Sequence, residues 1–255
     1  MNFQIAFYIY LGVYLTAVTI EALYSHHAKK GLYDKRDSFV NVVLGVGSIL
    51  IKLLIKGGWL IVWLFLYQFS FFKIPETAWS WLVLFVLNEF IYYWFHRLSH
   101  EKRLLWAIHV NHHSSEKLNF TTAARIPVFS HFMHIIFWIP LLLIGFNPLM
   151  IFTIENIGFL FASIQHTQVI RKTPVLDLVF NSPSHHRVHH ASNAQYLNKN
   201  YGNVLIIFDR LFGTFQKEED DIVIKYGIIN NINSYNLGKV VFHEWRDIFS
   251  RKKKT

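Results

Sequence analysis

The sequence predicts an all-α integral membrane protein, in which a bundle of about four to five membrane helices carries a cytosolic, histidine-rich helical cap. Hydrophobic residues make up 53% of the chain and charged residues only 16%, well below the quarter that soluble domains carry. Long apolar runs recur along the chain, with aromatic side chains typical of membrane interfaces. The histidines gather in the polar stretches that follow these runs.

Composition also limits the chemistry. The chain has no cysteine, which excludes disulfides, iron–sulfur clusters and thiolate zinc sites, so any metal must be held by nitrogen and oxygen. The formal net charge is +9. Because the basic residues lie beside apolar segments and at the C-terminus, they favour contact with anionic headgroups over nucleic acid, for which no binding motif is present.

The first apolar run, Asn2 to Leu23, is long enough to cross a bilayer as a helix. A signal peptide is the competing interpretation, but the run has neither a basic start nor a small-residue cleavage site. The next loop, Ser25 to Asp37, contains four basic residues and is therefore predicted to be cytosolic. We interpret its His26 and His27 as loop residues without a metal role.

Ser38 to Phe72 is apolar but carries two lysines and the pair Gly57-Gly58, so either one or two crossings would fit. One crossing is favoured, because it places the following histidines, which lie among Arg and Lys, on the cytosolic side. A Pro-containing hairpin at Lys73 to Thr77 then leads into a returning helix, Ala78 to Phe95.

A second apolar pair, Val128 to Phe146 and Pro148 to Ile164, is joined by the turn sequence Gly-Phe-Asn-Pro. This hairpin goes out and returns, so His166 emerges on the cytosolic side. The polar remainder ends in an amphipathic segment near Val240 to Phe249 and a basic tail predicted to be a cytosolic anchor. We therefore expect a single domain divided into membrane helices (1–95), two histidine motifs (96–127), a membrane hairpin (128–165) and a cap with the third motif (166–255).

The histidines form three groups with helical spacing. Residues three and four apart share one helix face, so each group can aim its imidazoles at one point. Eight histidines are about the number that two metal ions need, and His166 and His185 are plausible additions. The groups are His96 and His100; His109, His112 and His113; and His186, His189 and His190.

Several polar residues near these groups have competing interpretations. Glu89 lies seven residues before His96 in an apolar helix, where a carboxylate is costly. It is either an outer-shell acceptor that orients an imidazole or a polar contact between helices. His131 and His134 have metal-compatible spacing but favour packing or interface roles. Glu155 and Asn156 are candidates for a polar spot inside the hairpin.

Neutral imidazole suits iron, zinc, copper and nickel. No Glu-x-x-His motif of the ferritin-like di-iron proteins is present, so the site must be poor in carboxylates. A di-zinc hydrolase stays open, because zinc-bound water is a good nucleophile near neutral pH. A redox metal beside a lipid-filled cavity points instead to oxygen activation and attack on an unactivated C–H bond.

The motifs YYWFHRLSHE, WAIHVNHHSSEKLNFTTAAR, NSPSHHRVHH and KNYGNVLIIFDRLFGTF resemble those of the fatty acid hydroxylase and sterol desaturase superfamily of membrane di-iron oxygenases. The resemblance covers about residues 80 to 227 and is strongest to the alkylglycerol monooxygenase branch. It implies two non-haem iron ions, with the eight grouped histidines as ligands. It extends this role to His166, leaves His185 open between ligand and outer shell, and finds Glu89 where the branch has aspartate.

That branch hydroxylates the carbon beside an ether oxygen, with tetrahydrobiopterin as the reductant, and the hemiacetal then breaks down. The resemblance thus implies an O2-dependent lipid monooxygenase with a lipid substrate and an electron donor, either a pterin or a redox protein. The membrane would be the endoplasmic reticulum of a eukaryote or the inner membrane of a bacterium. Two alternatives stay open: a sterol or fatty acyl hydroxylase or desaturase, and a non-catalytic metal-binding membrane protein such as a transporter.

Overall fold

The computed structural model describes residues 3–127 and 129–250. The predicted basic tail therefore lies outside the described residues. Within them the secondary structure is helical, with ten α-helices and two isolated β-bridges. The helices are α1 (Phe3–His27), α2 (Lys35–Tyr67), α3 (Ala78–Glu101), α4 (Arg103–His113), α5 (Phe120–Ala123), α6 (Ser130–Ile144), α7 (Pro148–Ile164), α8 (Pro183–His189), α9 (Ile207–Leu211) and α10 (Leu237–Phe249).

Local sequence sets several of these boundaries. The Asp34 side chain accepts from Arg36 N and Asp37 N and so caps the start of α2. Thr77 forms a reciprocal capping box with Ser80 at the start of α3. Before both α7 and α8, a polar cap residue is followed by proline at the first helical position, where the missing N–H costs nothing.

Helix α2 is one continuous helix, so the chain does not reverse at Gly57-Gly58 as the two-crossing alternative requires. At about 1.5 Å per residue its 33 residues exceed the ~30 Å thickness of the hydrocarbon layer. Among the described residues, one segment is long and apolar enough to cross a membrane, Lys35–Ile55. Its side chains include Leu54, which is 83% exposed, as expected of a surface that faces lipid.

Helices α2, α3, α6 and α7 pack together around the largest apolar core. Trp138 lies fully inside it, and its indole Nε1 donates to Asn88 Oδ1 at 2.7 Å. This bond satisfies two polar groups that would otherwise be buried without partners. Helices α6 and α7 are shorter apolar helices. They form one hairpin, α2 and α3 form another, and the two hairpins lie side by side.

The outer ends of the two hairpins contact each other. Phe71 N donates to Leu143 O at 2.8 Å, and Asn147 Nδ2 donates to Glu76 Oε1 at 2.8 Å. Gly145 closes the turn after α6 with φ of 121°, and a Cβ there would lie 2.2 Å from Phe72 O. The predicted hairpin turn is therefore confirmed, and the histidine-bearing ends of α3 and α7 lie at the opposite end of the bundle.

At that end, helices α4, α5, α8, α9 and α10 cover the bundle. Helix α10 confirms the predicted amphipathic segment and packs on α4, and its Val240 contacts Val40 and Leu44 near the start of α2. The short α5 lies against α1, α2 and α7. It approaches α2 so closely at Gly45 that a Cβ there would lie 2.7 Å from Ala124 O. The cap is thus fixed directly to the apolar helices.

Candidate metal centre

Five histidines form a first cluster, whose ligand atoms all lie within 4.8 Å of one another. Helix α3 supplies two imidazoles one turn apart, and α4 supplies two more with the same spacing. The fifth comes from α8, about eighty residues further along the chain. This first cluster comprises His96, His100, His109, His113 and His189.

Four histidines form a second cluster, which meets the same distance limit. One comes from α4, one follows the end of α7, and two lie one turn apart, on α8 and on the residue directly after it. This second cluster comprises His112, His166, His186 and His190. Together the clusters bring together the nine histidines predicted as metal ligands.

The two His-His pairs divide between the clusters. Neighbouring helical residues point about 100° apart, so His112 and His113 cannot aim at one point. His113 turns to the first cluster and His112 to the second, and at the end of α8 His189 and the following His190 divide in the same way. The His113 and His190 rings stack with centroids 4.4 Å apart. The clusters are therefore neighbours that share α4 and α8.

The distances between ring nitrogens fit a shared metal ion. His113 Nε2 lies 3.0 Å and His96 Nε2 lies 3.2 Å from His109 Nε2 in the first cluster. In the second, His186 Nε2 lies 2.9 Å from His166 Nε2 and 3.0 Å from His190 Nε2. Metal–nitrogen bonds of about 2.0–2.1 Å at right angles would place two ligand atoms roughly 2.9 Å apart. The donor set fits a nitrogen-preferring metal in each cluster.

Backbone carbonyls orient the imidazoles. The Nδ1 atom of His96 lies 2.8 Å from Tyr201 O, and that of His189 lies 3.0 Å from Lys199 O. In the second cluster, His112 Nδ1 lies 3.2 Å from Arg125 O and His166 Nδ1 lies 2.9 Å from Ala162 O. A carbonyl accepts only from a protonated Nδ1, so each contact leaves the lone pair on Nε2 for a metal.

Burial keeps these rings neutral. It lowers the pKa of His113, His186 and His189 well below the usual value for histidine, and the neighbouring imidazoles lower it further. Neutral imidazole is the metal-binding form, so the free nitrogens are ready to bind at neutral pH. Among the described atoms, His189 Nε2 is buried without a hydrogen-bond partner, as expected of a ligand atom facing its ion.

Glu89 is predicted to be either an outer-shell acceptor for an imidazole or a polar contact between helices, and its hydrogen bonds join α3 to a loop instead. Its Oε2 accepts from Val204 N at 2.8 Å and Leu205 N at 2.9 Å, while His96 is oriented by Tyr201 O. Glu89 thus fixes the loop that follows Tyr201, one step further from the ring. Val204 and Leu205 are more than one hundred residues from Glu89 in the sequence, so this contact depends on tertiary packing, which helical spacing alone does not reveal.

His185 lies outside both clusters. Its ring contacts Phe215 with centroids 5.2 Å apart, and its carbonyl accepts from Asn200 Nδ2. His26 and His27 are exposed, and His131 Nε2 lies 2.7 Å from Ser48 Oγ. His134 Nδ1 lies 3.3 Å from Glu155 Oε1. None of these five histidines joins a cluster. This agrees with the interpretation of all of them except His185 as loop or packing residues; the sequence leaves the role of His185 open.

Sequence reasoning missed three supporting residues. Asp209 accepts from Tyr201 N and Gly202 N, both at 2.7 Å, and so holds the carbonyl that orients His96. Arg125 orients His112 through its carbonyl, and its guanidinium donates to Asp37 Oδ1 at 3.0 Å. Glu21 accepts from Phe120 N at 2.8 Å and from the Thr167 hydroxyl, next to His166.

Only Glu21 carried a sequence signal that could have revealed it, since it is an acidic residue within the apolar α1. Asp209 and Arg125 lie in polar stretches where charge is ordinary. Their importance follows from burial, with relative exposures of 0% and 2%.

Fold and site together define a class of protein, an all-helical membrane-associated protein with two adjoining imidazole clusters. The model of the fatty acid hydroxylase family matches residues 81–214, more than half of the chain. The chain belongs to the fatty acid hydroxylase family, whose members are oxidoreductases that act on lipids.

Curated relatives agree with this assignment. The chain is 37% identical over 217 residues to the alkylglycerol monooxygenase of Homo sapiens, covering 84% of this chain and 48% of that protein. It is 34% identical over 243 residues to that of Caenorhabditis elegans, covering 92% and 46%. The ornithine lipid hydroxylase OlsE of Rhizobium tropici is 38% identical over 136 residues, covering 51% and 40%.

The chain thus spans about half the length of the alkylglycerol monooxygenases it matches. No solved structure matches it.

Proposed function

We propose that this protein is a membrane-bound di-iron monooxygenase that hydroxylates a C–H bond of a lipid with O2. The observation that carries the proposal is the pair of adjoining all-imidazole clusters built on shared helices. A pair of nearby sites is suited to a two-electron oxidation, whereas a structural metal site needs only one closed set of ligands.

The nine clustered histidines would hold the two ions, one in each cluster. Bound iron would supply the capacity to activate O2, which the amino-acid side chains lack. The protein's own groups then have three tasks: the carbonyls at Tyr201, Lys199 and Arg125 orient the rings, burial excludes water, and the packed helices hold the substrate chain in register.

Membrane orientation follows from charge and from the paired hairpins. The loop before α2 is basic, and the histidine-bearing ends of α3 and α7 lie at the same end of the bundle as that loop. By the positive-inside rule, we propose that both clusters lie at the cytosolic face. We propose about four to five membrane helices in total, in the endoplasmic reticulum of a eukaryote or the inner membrane of a bacterium.

For the substrate, we propose an ether lipid of the alkylglycerol type, in keeping with the names of the relatives at 34% and 37% identity. One oxygen atom of O2 enters the C–H bond beside the ether oxygen, and the other leaves as water. Two electrons and two protons come from a donor, which we propose to be tetrahydrobiopterin. The hemiacetal breaks its C–O bond to give an aldehyde and a glycerol.

The test is oxygen uptake by purified protein loaded with iron, measured with an alkylglycerol and with tetrahydrobiopterin present or absent. The expected result is uptake that needs both and releases a fatty aldehyde, with about two iron ions bound per chain. An ester-linked glycerolipid of the same chain length is the matched control. Bound iron without oxygen uptake in any lipid would contradict the proposal and favour a metal-binding or transport role.

A second candidate is hydroxylation or desaturation of a sterol or of an acyl chain. It is favoured by OlsE, whose name describes hydroxylation of ornithine lipid and which matches over 136 residues. The two candidates predict different products. Ether cleavage releases an aldehyde, whereas this alternative leaves the lipid intact with a new hydroxyl group or double bond.

A further inference from the structure

An apolar groove of about 390 Å³ lies between α4, the first turn of α6 and α10. Its volume is within the range of roughly 300–1,000 Å³ that small-molecule sites occupy. Phe129 forms part of the floor, with its ring 6.0 Å from that of Phe242 and 5.7 Å from that of Trp245. The lining residues are Ile108, Phe129, Phe132, Met133, Phe242, Trp245 and Phe249.

The inner wall of the groove adjoins the metal centre. Ile108 directly precedes His109 of the first cluster and lies one helical turn before His112 of the second. On α6, Met133 packs against the core that contains Phe95, the residue before His96. One inner element of the groove, α4, thus carries clustered histidines itself, and the other, α6, packs against the helix that carries His96 and His100.

The outer wall is α10, whose exposed face suits a membrane surface. Its exposed residues Lys239, Phe242, Arg246 and Phe249 are spaced by three and four, so basic and aromatic side chains alternate along one stripe. Aromatic rings and basic side chains on one face are typical of helices at the headgroup level. The sequence continues with four further basic residues, Arg251 to Lys254.

Helix α10 is held firmly at this level. Val240 packs against Val40 and Leu44, in the first turns of the segment long enough to cross the bilayer. The fully buried Glu244 accepts from Arg103 Nε at 2.9 Å. The groove thus opens where a membrane-crossing helix enters the lipid, and its outer wall is fixed independently of any ligand.

We propose that this groove binds the alkyl chain of the lipid substrate, which enters from the bilayer between α6 and α10. The proposal rests on the proposed function and names the surface that receives the substrate. A single hydrocarbon chain fits because the lining is apolar, while the basic stripe beside it suits the polar and anionic headgroups at the mouth. The adjacency of Ile108 to both clusters favours the substrate over a bilayer lipid.

Photolabelling tests the position of the chain. The probe is an alkylglycerol whose chain carries a diazirine, bound to the full-length protein in nanodiscs, irradiated and mapped by mass spectrometry. Label should concentrate in residues 129–133 and 242–249, and unlabelled alkylglycerol should remove it. Label elsewhere would overturn the proposal. So would equal competition by phosphatidylcholine, which would identify the occupant as a bilayer lipid.

Substitutions test the role of the groove. Met133→Trp fills it, and Phe242→Ala removes part of its outer wall. We expect each to raise KM for a long-chain alkylglycerol roughly tenfold, the lower end of what one methylene contributes in an apolar pocket, and to leave short-chain substrates less affected. Leu54→Trp, on the 83%-exposed outer face of α2, and Phe71→Ala, 79% exposed in the loop after α2, are matched controls.

Iron content separates this result from misfolding, because both variants should bind as much iron as the unchanged protein. Unchanged KM values for long chains in both variants would overturn the proposal. If the unchanged protein oxidised no alkylglycerol but the probe still labelled the groove, the proposed reaction would fail while the groove remained a lipid site. Turnover of alkylglycerol with no label in the groove would support the proposed reaction but overturn the groove as the substrate site.

Discussion

The two histidine clusters are built in different ways. Four of the five rings of the first cluster lie within residues 96–113, on two consecutive helices, and only His189 is distant. The four rings of the second come from α4, from the end of α7 and from α8. The first is therefore mostly local in sequence, whereas the second forms only when three remote segments dock.

Their supports differ as well. The first cluster rests on the loop from Lys199 to Leu205, which the carboxylates of Glu89 and Asp209 hold by its backbone N–H groups. The second is tied to the apolar helices through Glu21 of α1 and Asp37 of α2. Both clusters therefore depend on the apolar helices, the first directly through His96 and His100 of α3 and the second through hydrogen bonds to α1 and α2. An ion held by the four imidazoles of the second cluster would keep more free positions than one held by the five of the first.

The largest expected effect comes from removing one ligand from each cluster in turn. His112→Ala leaves three imidazoles in the second cluster, so about one of the two iron ions should be lost together with all turnover. His189→Ala leaves four imidazoles in the first cluster and should retain more iron. Metal analysis and oxygen uptake measure both variants. Equal iron loss in the two variants would contradict the expected difference between the clusters. Full activity in either variant would refute the assignment of the replaced histidine as a ligand.

The next effect concerns the ion pair between Arg125 and Asp37, which connects the second cluster to α2. Arg125→Met leaves the Asp37 carboxylate without its ion pair in a buried site, which should cost about 3–5 kcal/mol of unfolding free energy. Thermal unfolding in detergent measures the change, and iron should be lost from the second cluster first. Lys172→Met is the matched control. It breaks an ion pair with Asp220, whose side chain is 92% exposed and screened by solvent, so the thermal unfolding temperature should stay nearly unchanged.

A smaller effect is expected at the support of the first cluster. Asp209→Asn keeps the side-chain shape but replaces one acceptor with a donor beside Tyr201 N and Gly202 N, at a cost of about 1–3 kcal/mol. The loosened Tyr201 carbonyl should weaken iron binding about 10–100-fold at the first cluster. Iron titration of the metal-free protein would show this as one weakened site. The exposed Asp221→Asn is the control, and two equally weakened sites would argue against a local support.

The smallest effect is expected from His185→Gln. Because His185 lies outside both clusters and packs against Phe215, this variant should retain both iron ions and lose only roughly 1 kcal/mol of stability. Metal analysis decides the matter. A loss of one ion comparable to that in His112→Ala would show that His185 is a ligand after all.

Much of the site was predictable because it depends on short-range spacing. The three- and four-residue intervals selected eight histidines that the fold does bring together, and the ninth, His166, follows the hairpin that the Gly-Phe-Asn-Pro turn predicted. The role expected of Glu89 illustrates the limit. Its seven-residue offset from His96 left a contact with the ring and a polar contact between helices equally open, whereas its carboxylate accepts from a loop more than one hundred residues away in sequence.

The sequence by itself determined the helical class, the long apolar α2, the amphipathic α10 and the residues that gather at the metal centre, because periodicity and turn chemistry act over a few residues. The tertiary structure alone decided how those residues are divided. His112 and His113 point to different clusters, and Arg125 and Asp209 became supports, because these outcomes depend on how α4 and α8 dock against the membrane helices. Docking is set by packing over the whole fold, which no local pattern records.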